Sequence, residues 1–201
     1  MNGICFIKPL FNAVVEGRKT QTRRVIDNKT LEKLEDYWSW YDFALAQRTH
    51  EVSVEPDKTE SFARYKVGEI LYLKEPYYDY GLGTILYKYS GDYVGDYEGA
   101  FESMVWENKL FMPEKYARYF IEITGVRCER LQDISDEDCE KEGIMKEADY
   151  PIYYVFGSRG IGYDTTKQAF SALINSIKKG IWEQNAYVWV YDFKLVEKPL
   201  L

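Results

Sequence analysis

Along several stretches of the chain hydrophobic and polar positions alternate, and along others apolar residues recur every three or four positions, the two periods that separate half-buried strands from amphipathic helices. Residues 3–7 form a short apolar run that reads as a strand. Pro9 then presets the first turn of a helix whose apolar positions, Phe11, Ala13, Val14 and Val15, run up to Gly17, a residue able to take the positive φ that stops a helix. Beyond the stop, Thr22 and Arg24 share one face of a strand that continues into the β-branched Val25 and Ile26. A turn through residues 18–21 would bring Lys19 to the same place as Thr22 and Arg24. Residues 30–38 then read as an amphipathic helix.

From Val67-Gly68-Glu69 a tight turn leads into the strand Ile70-Leu71-Tyr72-Leu73-Lys74, which ends at Glu75-Pro76. Residues 84–89 follow the turn Gly81-Leu82-Gly83 as another strand, and 92–102 are an acidic, Tyr- and Gly-rich loop. The longest strand candidate is 117–131. Its Tyr119, Ile121 and Ile123 alternate with Arg118, Phe120, Glu122 and Thr124, and Gly125 marks an expected bulge. Ser135 is a natural N-cap, with Asp138 three residues on and Gly143 as the stop of a short helix. Residues 151–163 read as an aromatic, Gly-hinged loop, either a plain connector or a cover. Apolar residues at 169, 170, 173, 174 and 177 predict a helix, and 182–196 predict a closing strand rich in aromatics.

Composition narrows what such a fold could do. The 201 residues, 46% of them hydrophobic, suffice for one domain with a proper core. Aromatic residues reach 17%, with 19 Tyr and 5 Trp, which suits an aromatic-lined groove as well as a plain core. A net charge of −7 opposes binding long duplexes through many phosphates but leaves room for a single nucleotide. Cys5, Cys128 and Cys139 have neither disulfide nor metal spacing, and His50, the one histidine, sits in a polar stretch. The reading is therefore of a cytoplasmic protein with no metal, no cofactor and no membrane association.

Candidate chemistry concentrates in residues 17–26, where four cations (Arg18, Lys19, Arg23 and Arg24) accompany two hydroxyls and an amide, with no carboxylate. Such a cluster repels itself unless an anion shares it. Lys8 stands close enough in sequence either to join it or to be an ordinary strand-end lysine. Glu75 either orients a ligand or pairs with Arg24, or it forms a plain strand-end ion pair.

The pattern Gly17-x-Lys19-x-x-Thr22-x-Arg24 resembles the signature of the ASCH domain, a PUA-like family associated with RNA and modified nucleosides. Phage and prophage relatives are similar in further elements. These are Val67-Gly68-Glu69 with its strand, Trp106 through Met112-Pro113, Ile134-Ser135-x-Glu137-Asp138 ending in Glu142-Gly143, Phe170-x-x-Leu173-Ile174, and Trp182-x-x-Asn185-x-x-Val188-Trp189-Val190-x-x-Phe193. The resemblance implies an α+β fold built on a PUA-like small mixed β-barrel with flanking helices. It implies one domain over 1–201 with helical or loop insertions at about 27–64 and 77–105, which match nothing in the family.

Two functions follow from the resemblance. In the first, a basic cleft formed by Lys8, Arg18, Lys19, Thr22, Arg24 and Glu75 binds a nucleotide or single-stranded RNA. In the second, Lys19, Thr22 and Glu142 occupy the positions of the Lys, Thr and Glu that deacylate N(4)-acetylcytidine in small ASCH amidohydrolases. Lys19 would then take a proton from Thr22 and Glu142 would pass it to the leaving amine. A third possibility is a phage-derived interaction protein with a vestigial cleft. In both active readings the pocket is expected between the Lys19/Thr22/Arg24 turn and the Glu142 helix.

Overall fold

The computed structural model describes residues 1–46, 58–89, 105–147, 152–155 and 162–199. His50, the acidic stretch 92–102 and most of the expected loop 151–163 lie outside them. Strands and helices are mixed in an α+β arrangement centred on one five-stranded sheet. In spatial order its strands are β1 (Asn2–Cys5), β3 (Ile70–Lys74), β6 (Phe120–Arg130), β9 (Tyr187–Val196) and β2 (Gln21–Val25). Only β1 and β3 run parallel; β3 with β6, β6 with β9 and β9 with β2 are antiparallel.

Among the described residues no ladder joins β1 to β2, so the sheet does not close through backbone pairing. A side chain spans part of the gap: Arg24 Nη2 on β2 donates to the Cys5 carbonyl on β1 at 2.8 Å. Gly125 interrupts the register of β6 against β9, as its position in the long alternating run predicts. A Cβ there would lie 3.0 Å from the Asp192 carboxylate, so glycine lets the two strands approach.

Helices cover the sheet where their apolar stripes require it. α1 (Lys8–Val15) carries Pro9 in its first turn and buries Leu10, Phe11, Ala13 and Val14. It ends at Gly17 with φ +73°. α2 (Asn28–Ala46) extends well past the expected 30–38 and anchors through Leu34 and Trp38. The Trp38 indole donates to Thr59 Oγ1 at 2.9 Å and lies 5.2 Å from the Tyr187 ring. α3 (Asp136–Lys141) starts as its cap predicts, with the Asp138 amide donating to Ser135 Oγ. α4 (Thr166–Ile177) buries Ala169, Phe170 and Leu173.

Three elements differ from the sequence expectation. Residues 182–186 do not extend the last strand; Ile181–Gln184 form a helical turn, α5, and β9 begins only at Tyr187. The cause is Asn185, which takes left-handed backbone geometry at φ 42° and accepts the Gln132 amide on its side chain. β4 (Tyr77–Gly81) pairs with β5 (Thr84–Tyr87), so the 77–105 segment opens with a hairpin whose turn is Leu82-Gly83. β7 (Ile144–Lys146) pairs with β8 (Tyr153–Val155), giving part of the expected loop regular structure.

Candidate functional site

Strand β2 divides its side chains between two environments. Thr22 and Arg24 stand opposite Tyr191 and Trp189 of β9, whereas Gln21 and Arg23 stand opposite Asp192 and Val190. Directly opposed residues on paired strands project to the same face. Adjacent arginines 23 and 24 therefore face opposite sides of the sheet.

On the Arg23 side, every cation meets carboxylates. Arg23, with a side chain only 1% exposed, donates to Glu129 at 2.6 Å, Asp138 at 3.0 Å and Glu142 at 3.1 Å. Arg127 bonds Glu129, Asp138 and Asp192, and Gln21 links Asp138 to Asp192. Lys19, at the end of the network, donates to the Gln21 carbonyl at 2.7 Å, the Glu142 carbonyl at 3.0 Å and the Glu142 carboxylate. Lys19 and Glu142, 123 residues apart in sequence, are thus in direct contact. Both oxygens of Glu142 are occupied, one by Lys19 and one by Arg23. Burial lowers the Lys19 pKa from its usual value; Glu142 opposes this, and the charges of Arg24 and Arg23 add to it.

On the Arg24 side lies a cavity of about 770 Å³. It opens where β1 and β2 fail to pair, with Cys5 and Val25 on its walls and Tyr65, Trp189 and Tyr191 behind them. Arg24, Arg64 and Lys74 line it, and among the described residues Asp27 is the one carboxylate in the lining. Among the described residues, no carboxylate lies within ion-pairing distance of any of these three cations. Asp27 spends both oxygens on the amide and hydroxyl of Thr30 at the start of α2, which hold its pKa down. The Arg24 guanidinium lies 5.3 Å from the Phe6 ring and Arg64 the same distance from the Tyr65 ring, so each is held against an aromatic face. Lys74 donates to the Leu110 carbonyl at 2.8 Å.

The residues expected to share one cleft are therefore distributed. Arg24 lines the cavity. Thr22 is buried on the same face of β2 but is not part of the cavity wall. Lys19 and Glu142 are joined to each other away from it, and the space expected between them is filled by their own contact. Lys8 is exposed at the start of α1 and lines no part of the cavity. Arg18 pairs with Glu16 and contacts Met145 Sδ, beside a separate cleft of about 300 Å³. Glu75 is buried and held by Arg118, whose guanidinium donates to both its oxygens at 2.8–3.0 Å, not by Arg24.

Sequence reasoning did not assign Arg64 and Lys74 to the site. Arg64 falls inside the apparent insertion, and Lys74 reads as a strand end. The sequence offers little clue to either: Arg64 has Glu60 four positions before it, a ready partner at helical spacing, and Lys74 stands beside Glu75. Among the described residues no group of three His, Cys, Asp or Glu could hold a metal ion, and no helix is long and apolar enough to cross a membrane. Comparison with protein-family models, with curated proteins and with solved structures found no match to this chain.

Proposed function

We propose that the protein is an ASCH-like, PUA-like module that binds a nucleotide or single-stranded RNA through the basic cavity between β1 and β2. The observation that carries this reading is the set of three cations, Arg24, Arg64 and Lys74, which face one cavity with no carboxylate partner among the described residues. Cations brought together unpaired destabilise the fold unless an anion joins them. A volume of about 770 Å³ falls within the roughly 300–1,000 Å³ of small-ligand sites. The tyrosine and tryptophan rings on the wall supply apolar surface for a base, and the Arg24 fork suits a phosphate.

Backbone groups add acceptors and donors. The Thr20 carbonyl and the Ile26 amide both bond toward β9, so by the alternation of an antiparallel ladder the amide and carbonyl of Val25 turn the other way, toward the gap. In this reading the open sheet is a PUA-like barrel whose missing seam is the ligand site. Equilibrium dialysis or calorimetry against nucleoside 5′-monophosphates and short single-stranded RNA tests it. Binding that falls at least about tenfold in Arg24→Gln supports it, and no binding by the native protein rejects it.

A second reading, an amidohydrolase acting on a modified nucleoside such as N(4)-acetylcytidine, is favoured by the contact of Lys19 with Glu142 and by the lowered pKa of Lys19. Here neutral Lys19 takes the Thr22 hydroxyl proton, Thr22 attacks the acetyl carbon, the proton passes from Lys19 through Glu142 to the amine that leaves, and water then hydrolyses the acetyl ester on Thr22 to acetate. Against it stands the occupancy of both Glu142 oxygens. Chromatography of N(4)-acetylcytidine incubated with the protein decides: loss of substrate that disappears in Thr22→Ala establishes the enzyme, and unchanged substrate leaves the binding module.

A further inference from the structure

Resting on the nucleotide-binding reading, we infer that the cavity recognises a terminal phosphate, the monoester of a mononucleotide or of a 5′-phosphorylated strand end, and not the phosphodiesters within a chain. The inference starts from charge. Arg24, Arg64 and Lys74 against Asp27 leave the lining two positive charges in excess. The chain as a whole carries −7, so this excess is local. A phosphate monoester carries about −1.5 to −2 near neutral pH and three acceptor oxygens, whereas a diester carries −1 and two free oxygens. Only the monoester balances the site.

Hydrogen-bonding capacity agrees. Arg24 spends one terminal nitrogen on the Cys5 carbonyl and keeps the rest of its fork. Lys74 spends one of three N–H groups on Leu110. Arg64, exposed and set against Tyr65, has no acid partner among the described residues. Three donors from three separate segments, β2, the segment after α2 and the end of β3, can surround a terminal phosphate from different directions. The same number along an internal diester would be redundant.

The placement of the donors assigns parts to them. Arg24 belongs to the sheet, and its loss weakens any anionic ligand. Arg64, from the segment after α2, and Lys74, at the end of β3, set the preference for the additional charge. Asp27, carrying negative charge in the lining, opposes a longer polyphosphate chain.

Calorimetric titration of the native protein with one nucleoside in three forms, unphosphorylated, 5′-monophosphate and 3′,5′-cyclic monophosphate, tests this, together with a single-stranded tetranucleotide bearing either a 5′-phosphate or a 5′-hydroxyl. The 5′-monophosphate is expected to bind about tenfold more tightly than its cyclic diester, and the 5′-phosphorylated strand more tightly than the 5′-hydroxyl strand by a similar factor. Arg64→Gln and Lys74→Gln, each checked for an unchanged melting temperature, should narrow both gaps while cyclic-diester binding changes less. Equal affinities for monoester and diester, or gaps that survive both substitutions, overturn the inference and leave the nucleotide reading standing. If none of the nucleosides, nucleotides or strands binds, the nucleotide reading falls and the inference with it.

Discussion

Arg23 and Arg24 are neighbours on one strand, yet they belong to regions of opposite character. Around Arg23 the charges are saturated: Glu129, Asp138, Glu142 and Asp192 share Lys19, Arg23 and Arg127, and no buried side-chain polar atom among the described residues lacks a partner. Around Arg24 they are not: three cations and several rings face open volume with no acid partner among the described residues. The first arrangement closes on itself, and a ligand would have to break bonds to enter it. The second is completed only by something from outside. A cluster of cations in a sequence therefore says little by itself about binding; what matters is which of them the fold has already neutralised.

The largest expected effect comes from breaking the saturated side. Arg23→Met leaves Glu129, Asp138 and Glu142 short of a buried partner and should cost about 3–5 kcal/mol of stability in urea denaturation. Stability unchanged within about 1 kcal/mol would show that the network is not a structural unit. Arg24→Gln should do the reverse: affinity for a nucleotide falls by about ten- to a hundredfold while stability stays within about 1 kcal/mol of native.

Acid should weaken the saturated side. Burial on its own would raise the pKa of Asp138, but hydrogen bonds from Gln21 and Arg23 and the charge of Arg127 outweigh it and hold the group below 3.8. A carboxylate lowered in the folded state contributes stability that is fully present above pH 3.8 and is lost as pH falls through its folded value. Asp138→Asn should therefore flatten the acid limb of the melting-temperature profile below pH 4, and an unaltered limb would contradict the assignment. The smallest effect serves as a control outside both regions. Leu82, fully exposed at the hairpin tip with φ 52°, occupies backbone space that glycine takes without strain. Leu82→Gly should raise stability by up to about 1 kcal/mol and leave nucleotide affinity untouched.

Much of the fold was legible because its signals are local. Gly17 stops α1, Gly125 shifts the register of β6, and Ser135 caps α3, each from a residue's own conformational preference. The alternation that puts Thr22 and Arg24 on one face was legible for the same reason. Which arginine is neutralised was not, because the acids around Arg23 lie 106 to 119 positions away in sequence. The insertion misled in another way. Residues 27–64 look like an addition to the site's scaffold, yet Asp27, Thr30, Phe62 and Arg64 form one wall of the cavity. Glu75 had an acidic residue's usual explanation, an ion pair, but its partner Arg118 lies 43 positions on and could be found only in space.

The most direct measurement is calorimetric titration of a nucleoside 5′-monophosphate into the native protein, Arg24→Gln and the doubly substituted Arg64→Gln/Lys74→Gln. The account predicts measurable binding to the native protein and a loss of at least about tenfold in each variant, with melting temperatures preserved. Native protein that binds nothing, or variants that bind as well as it does, would contradict it.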